Sequence, residues 1–144
     1  MWIMAGFVLM AVVAAAGGYF AVAKRQTSLV VGGRQLKLEV VKSPWQLQRG
    51  LSGRDDLPPD SGMLFIMPHR GIYSFWMKDM KFALDIVWLD DGLVVDLATL
   101  PAPTSTAYIP RHDPVIKADR VLELKAGMAQ KFGLKPGVRL VLPD

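Results

Sequence analysis

The chain opens on an uninterrupted apolar run. Residues 1–23 carry no charged side chain, and the run stops at Lys24 and Arg25. As a helix, this length would cover about 35 Å, which exceeds the roughly 30 Å hydrocarbon core of a bilayer. The pattern therefore predicts one transmembrane helix over 1–23. A buried core helix is the alternative, but the segment has no polar face to show to water.

A retained anchor and a cleaved signal peptide both fit this run. Ala21 and Ala23 form an Ala-x-Ala site at which a signal peptidase could cut. However, no lysine or arginine precedes the run, and the run is longer than the apolar region of a typical signal peptide. These two features favour a retained, single-pass anchor.

Alternating apolar and polar residues follow the anchor and indicate a β-hairpin. Two alternating runs, 28–31 and 34–41, are joined by a pair of glycines, which suit a tight hairpin turn. In the second run Leu36, Leu38 and Val40 share one face, while the charged residues point to the other. This pattern is typical of a half-exposed strand.

The rest of the chain alternates between strand patterns and turn residues, with two short helices. Ser43 followed by Pro44 has the pattern of a helix N-cap and first helical position, and a second short helix is predicted over 126–132. A turn is predicted over 68–71 and a surface loop over 101–119. Strands are predicted over 62–67, 72–78, 82–89, 93–100, 120–125 and 138–142.

These patterns predict a mainly β fold after the transmembrane helix. Two strands, 62–67 and 82–89, are apolar on both faces, which is typical of strands covered on both sides. We expect a compact β-sandwich, jelly-roll-like or barrel domain with two short helices. The chain then divides into the anchor over 1–23, a linker with the first hairpin arm over 24–35, and the β-rich domain over 36–144.

Basic residues are concentrated next to the predicted span. From residue 24 to residue 54 there are seven basic residues and one acidic residue, whereas the remainder of the chain has ten basic and twelve acidic residues. Lys24, Arg25, Arg34 and Lys37 would meet anionic lipid headgroups, at about 1 kcal/mol each. A nucleic-acid partner is excluded, because this charge is tethered to the bilayer and no binding motif accompanies it.

Two sequence features disagree about the side of the membrane. The positive-inside rule places the basic flank of the span in the cytoplasm. The Ala-x-Ala site instead fits an exported domain. The chain contains no cysteine, so disulfide usage gives no indication of the compartment.

Common catalytic signatures are absent from the sequence. It has no cysteine nucleophile, no glycine-rich phosphate loop, no paired-histidine metal motif and no nucleophile elbow. Its two histidines, His69 and His112, lie on a predicted turn and a predicted loop, where a solvated imidazole is the usual state. We therefore predict neither a metal nor a cofactor.

Asp85 is the most informative single residue. It shares a strand face with apolar side chains, where an unpaired carboxylate would be costly. One interpretation is an internal ion pair with Lys78 or Arg54. The other places Asp85 at a strand end facing a pocket.

Two further strands carry candidate binding residues. Trp76 and Lys78 fall on one face by alternation, and an aromatic ring beside a cation is common in small-ligand clefts. A core residue with a charged rim is the alternative. Glu123 points away from Leu122 and Leu124, so it either serves a site or lies on the exposed face of an edge strand.

Several short motifs occur together in a fixed order. They resemble those of the domain of unknown function 192 family, over about residues 36–142. The resemblance implies a compact β-sandwich or jelly-roll-like domain, often exported behind a signal peptide or anchor, and therefore favours an extracytoplasmic location. It implies no established activity. The motifs are Gly50-Leu51, Arg54, Leu57-Pro58, Gly62-Met63-Leu64-Phe65, Phe75-Trp76-Met77-Lys78, Leu84-Asp85-Ile86, Val121-Leu122-Glu123-Leu124 and Ala126-Gly127.

The resemblance adds weight to five side chains, because each falls on a family motif position. The chain departs from the family pattern at Asp79-Met80, where Asn-Thr is common, and at Ala83, where proline usually precedes Leu-Asp. A function that needs that amide or hydroxyl is therefore not expected here. The candidate ligand-binding residues are Arg54, Trp76, Lys78, Asp85 and Glu123.

Three classes of function fit these residues. The leading interpretation is a non-catalytic module that binds a small polar ligand or a partner protein. The second is an enzyme with Asp85 or Glu123 as acid or base and Lys78 or Arg54 stabilising negative charge. The third is a structural partner in an envelope complex, using the long loop over 101–119.

Overall fold

The computed structural model describes residues 25–143. The predicted anchor over 1–23 lies outside these residues. Within the described part, the longer helix has six residues, and no helix has the length and apolar character needed to cross a bilayer. The elements in chain order are β1 (Arg25–Val31), β2 (Arg34–Val41), α1 (Pro44–Arg49), β3 (Ser61–Gly71), β4 (Phe75–Trp76), β5 (Leu84–Asp90), β6 (Leu93–Leu100), β7 (Arg111–His112), β8 (Ala118–Lys125) and α2 (Met128–Lys131).

Six strands form one sheet in the order β1-β2-β3-β8-β5-β6, and β4 pairs with β7 in a separate two-stranded ribbon. Neighbouring strands of the large sheet are antiparallel except for β2 and β3, which are parallel. Parallel neighbours need a crossover connection. Residues 42–60 supply it, and they carry α1 across one face of the sheet.

The predicted N-terminal hairpin is confirmed. Gly32 and Gly33 both have positive φ, +55° and +75°, as a two-residue hairpin turn requires. Leu36, Leu38 and Val40 of β2 are buried on one face, as alternation predicts. The first helix is also confirmed: Gln46 Oε1 accepts hydrogen bonds from the Ser43 backbone N–H (3.2 Å) and hydroxyl (2.8 Å) at its N-terminus.

The large sheet has a hydrophobic core on each face. On one face, Leu64, Val87 and Leu122 pack with α2 and the C-terminal segment. On the other face, Phe65 and Trp88 pack beneath α1, β4 and the loops between them. Burial on both sides explains why β3 and β5 are apolar at successive positions.

The expected barrel is wrong, because both sheets are open. β1 and β6 form the two opposite edges of the large sheet. A full sandwich or jelly roll is not formed either, since the second sheet is a ribbon of two residues in each strand. The supported fold is mainly β with two short helices.

Four predicted local elements also differ. The turn over 68–71 belongs to β3, which continues to Gly71 beyond an irregularity in its pairing with β8. The strand over 72–78 shrinks to β4, whose partner β7 lies inside the predicted 101–119 loop. The segment 138–142 alternates correctly but forms only an isolated bridge, Arg139 with Leu93, because it adjoins just the beginning of β6.

Candidate functional site

Glu123 lies in the interior of the large sheet. β8 is flanked by β3 and β5, so it is not an edge strand, and Glu123 is only 6% exposed. Its cross-strand neighbours are Met63 of β3 and Ile86 of β5. The interpretation of Glu123 as a solvated edge residue is therefore wrong.

The carboxyl group of Glu123 is chemically unusual. Its Oε2 atom is fully buried and has no hydrogen-bond partner among the described residues. Burial raises the pKa of Glu123 to about 8, although the nearby positive charge of Arg54 acts in the opposite direction. At neutral pH the group is thus mainly an uncharged acid that can both donate and accept a hydrogen bond.

A cavity of about 290 Å³ lies over Glu123, between α1 and the segment that contains β4. Apolar side chains dominate its walls, while the polar groups other than Glu123 come from loop and helix positions. The apolar lining comprises Leu47, Leu51, Phe65, Met67, Phe75 and Met80; the polar lining includes Gln48, Arg49, Ser52 and Ser74.

The cavity walls are held in place by specific contacts. Phe75 packs edge-on against Phe65 and Trp88, with ring centroids 5.1 Å and 5.9 Å apart. The indole N–H of Trp88 donates to the carbonyl of Tyr73 at 2.8 Å, which fixes the segment before β4. These contacts pack the segment that contains β4 against the sheet.

Gly50 brings the end of α1 close to the buried acid. Its φ is +49°, and a Cβ built there would lie 3.2 Å from the Phe65 ring and 3.9 Å from Glu123 Oε2. A side chain at this position would therefore be strained and would crowd the cavity floor. Sequence analysis identified Gly50 only as part of the Gly50-Leu51 motif.

Trp76 and Glu123 line the same cavity. Trp76 is at the mouth, where its side chain is 58% exposed. The Lys78 ammonium group lies 5.5 Å from the centre of the Trp76 ring, so it sits beside the mouth through a cation–π contact. Of the five candidates, these three are grouped around one opening.

Arg54 lies between two carboxyl groups on this face of the sheet. It forms a 2.8 Å ion pair with Glu39 of β2 and also acts electrostatically on Glu123. Met63 of β3 lies between the two acids in the sheet, because it pairs with Glu39 of β2 on one side and with Glu123 of β8 on the other. Sequence analysis missed Glu39, although it is the single acidic residue in the basic stretch from 24 to 54.

Asp85 is on the opposite face of the sheet. It is buried, its Oδ1 accepts a hydrogen bond from Thr99 Oγ1 (2.6 Å), and its Oδ2 accepts one from the Ala129 backbone N–H (2.8 Å). The expected ion pair with Lys78 or Arg54 is therefore wrong. As the second residue of β5, Asp85 instead lines a separate hollow of about 420 Å³ beside α2.

The geometry around Glu123 is suited to holding a small molecule. In residues 25–143, no group of three or more His, Asp or Glu side chains is arranged to hold a metal ion. What the site offers is an apolar enclosure with one unsatisfied carboxylic acid. Ligand pockets commonly combine these two features.

Comparison with protein families shows what the chain resembles as a whole. The model of the family described as DUF192, Uncharacterized ACR, matches residues 27–142. This range includes all five candidate residues and the cavity. No curated protein matches the sequence.

Two solved structures share the fold. One is described as a proposed transcription regulator from Sinorhizobium meliloti 1021, with 30% identity, a TM-score of 0.67, and coverage of 81% of this chain and 90% of that one. The other is a protein of unknown function from Novosphingobium aromaticivorans DSM 12444, with 25% identity, a TM-score of 0.70, and coverage of 93% and 98%.

Proposed function

This chain belongs to the uncharacterised DUF192 family, and from that premise we propose that it is a membrane-tethered module that binds a small ligand without transforming it. The observation that carries the proposal is Glu123 Oε2, a buried and unpartnered oxygen that borders a cavity. An unsatisfied buried polar atom costs about 1–3 kcal/mol, which a ligand group would recover on binding.

The lining of the cavity defines the class of ligand. Its walls favour an apolar body, and its volume of about 290 Å³ lies at the small end of the range for ligand sites. A neutral acid at the floor favours one hydrogen-bond acceptor on the ligand, such as a carbonyl or ether oxygen. The small polar ligand predicted from the sequence fits these apolar walls less well.

The tether is part of the same proposal. An uncharged run of 23 residues followed by a basic flank supports a single-pass anchor, and the export habit of the family supports an extracytoplasmic domain. A module of this kind would keep its ligand close to the membrane.

An enzymatic role is less well supported by the geometry. The two proposed acid–base residues, Asp85 and Glu123, lie on opposite faces of the sheet and line different hollows. Arg54 is engaged by Glu39. Beside Glu123, the other titratable side chains that line its cavity are Arg49 and Tyr73, and the Tyr73 hydroxyl already donates to the carbonyl of His69.

Ligand binding can be tested on the full chain in detergent micelles. We would titrate small amides, ketones and ethers with apolar bodies, and follow Trp emission. Binding should be saturable, and the signal should disappear in Trp76→Phe. Glu123→Leu should weaken binding at least about tenfold, because the donor is lost, whereas Glu123→Gln should retain it.

The pH dependence separates this proposal from its competitors. Affinity of the wild type should fall above a pH of about 8, when Glu123 ionises, and should stay constant in Glu123→Gln. Equal binding by Glu123→Leu would refute the site. Conversion of a bound compound, lost in Glu123→Gln, would establish the enzymatic alternative instead.

A further inference from the structure

Three large apolar side chains stand exposed on α1 and on the segment that contains β4. They are Trp45 (52% exposed), Ile72 (55%) and Trp76 (58%). Ile72 and Trp76 line the cavity on one side, and Arg49 lines it on the other. Trp45 precedes Arg49 by four residues on α1, so the two share one helix face. Grouped exposed apolar side chains commonly mark an interaction surface.

The same side of the domain carries basic residues that are only partly compensated. Segments 40–54 and 66–78 contain five basic residues, of which Arg54 is paired with Glu39 and Arg70 with Asp90. Lys42, Arg49 and Lys78 are exposed and form no ion pair within the described part of the chain.

The chain enters the domain at the end of the sheet from which α1 departs. Arg25, the first described residue, is the register partner of Val40, and α1 begins only four residues after Val40. The apolar run over 1–23 is therefore joined to the sheet at the end from which α1 departs. A membrane anchor there would hold Trp45 within a short distance of the bilayer.

We propose that this aromatic–basic rim, formed by Trp45, Arg49, Ile72, Trp76 and Lys78, rests on an anionic bilayer surface. Tryptophan is favoured at the membrane–water interface, where its ring is half in an apolar medium and its N–H remains hydrated. Exposed lysines and arginines add attraction to anionic headgroups. The combination of these residues with an adjacent membrane tether favours lipid over a protein partner. The inference rests on the membrane tether of the proposed function, but it does not depend on ligand binding in the cavity.

The test uses the full chain reconstituted into vesicles that contain lipids brominated near the headgroup end of the acyl chain. Bromine quenches only tryptophans in close contact with the lipid. Trp2 is replaced by phenylalanine throughout, and the fully buried Trp88 serves as an internal reference. Vesicles of phosphatidylcholine alone are compared with vesicles that also contain phosphatidylglycerol.

Emission should be quenched severalfold more in the anionic vesicles than in the neutral ones. This excess should fall by about half in Trp45→Phe and in Trp76→Phe, and should vanish in the double variant. The combined substitution Lys42→Gln, Arg49→Gln and Lys78→Gln should also remove it, because the attraction to phosphatidylglycerol is lost. An unchanged Trp88 emission maximum would show that each variant is folded.

A matched control places a tryptophan at the other end of the sheet. Val30 is exposed near the hairpin turn, and Val30→Trp in the double-phenylalanine background should not be quenched. Equal quenching at both ends, or no excess in anionic vesicles, would overturn the proposal. Protection of Trp45 and Trp76 from aqueous acrylamide without bromolipid quenching would also overturn it, and would indicate that a protein or a second copy covers the rim.

Discussion

The carboxyl group of Glu123 makes the stability of this domain depend on pH. Its pKa rises from the usual 4.5 to about 8 in the folded state, because burial disfavours the charged form. Between these values the folded chain retains a proton that the unfolded chain has lost. The free energy of unfolding should therefore fall as the pH rises from 4.5 to about 8, by up to about 5 kcal/mol, and level off above that range.

Glu123→Gln should remove this dependence. The variant should be a few kcal/mol more stable than the wild type at a pH near 8, and nearly equal to it at a pH near 4.5, because glutamine cannot ionise. Urea unfolding of the full chain in micelles across this range measures the difference. Asp55→Asn is the matched control, since it removes an exposed carboxylate that pairs with Lys81 and should leave the pH slope in place. Parallel slopes for wild type and Glu123→Gln would contradict the assignment.

Sequence patterns predicted the direction of single side chains better than their surroundings. The alternation of side chains along a strand correctly predicted that Glu123 points away from Leu122 and Leu124. It also correctly predicted that Trp76 and Lys78 lie close together. It could not show that β8 is an interior strand, which is why Glu123 is buried. It also could not find the partners of Asp85, because Thr99 and Ala129 lie 14 and 44 residues away along the chain.

At the scale of elements, α2 is too short to be stable alone. It has four residues and follows Gly127, whose φ is +86°. Its buried residue Ala129 donates its backbone N–H to Asp85. The carboxylate thus ties the start of α2 to β5, and this role accounts for a buried acid that sequence analysis had paired with a cation.

Asp85→Ala should destabilise the domain by roughly 2–4 kcal/mol, because it leaves the buried N–H of Ala129 unsatisfied and removes the bond to Thr99. Asp85→Asn should cost less than half as much, since its side-chain oxygen can still accept from Ala129. Chemical denaturation gives the energies, and hydrogen exchange should show faster exchange confined to α2 and its flanks. An equal loss in Asp85→Asn would instead point to a need for the negative charge itself.

Elements with local signals were predicted, and elements with distant partners were not. The glycine pair determines the turn of the first hairpin, and Ser43-Pro44 determines the start of α1. Both signals affect only residues a few positions away in the sequence. The extension of β3 to Gly71 depends on Ala118, and β4 depends on Arg111 and His112 far along the chain. Strand patterns alone do not reveal such pairings.

At the scale of the whole molecule, the cavity arises from the strand order. The parallel pairing of β2 and β3 forces residues 42–60 to cross one face of the sheet, and α1 in this crossover becomes a wall of the cavity. The sequence predicted a mainly β fold and its two helices. It did not predict this crossover, so the barrel and sandwich expectations placed no cavity beside α1.

The strand order also determines at what point during synthesis the large sheet can be completed. Among the strands that the structure describes, β8 is the last to leave the ribosome, yet it occupies the centre of the sheet between β3 and β5. Until residue 118 emerges, those two strands have no common partner, and each exposes an edge that invites aggregation. The unfinished sheet is therefore open to aggregation until β8 emerges.

Stalled chains of increasing length would measure this dependence. Chains that end before residue 118 should be digested rapidly by protease, and resistance should appear in a single step once residues up to 132 have emerged. Gradual resistance that begins with the N-terminal hairpin would show that the early strands fold independently. A late single step would mean that the sheet forms only after most of the chain has been synthesised.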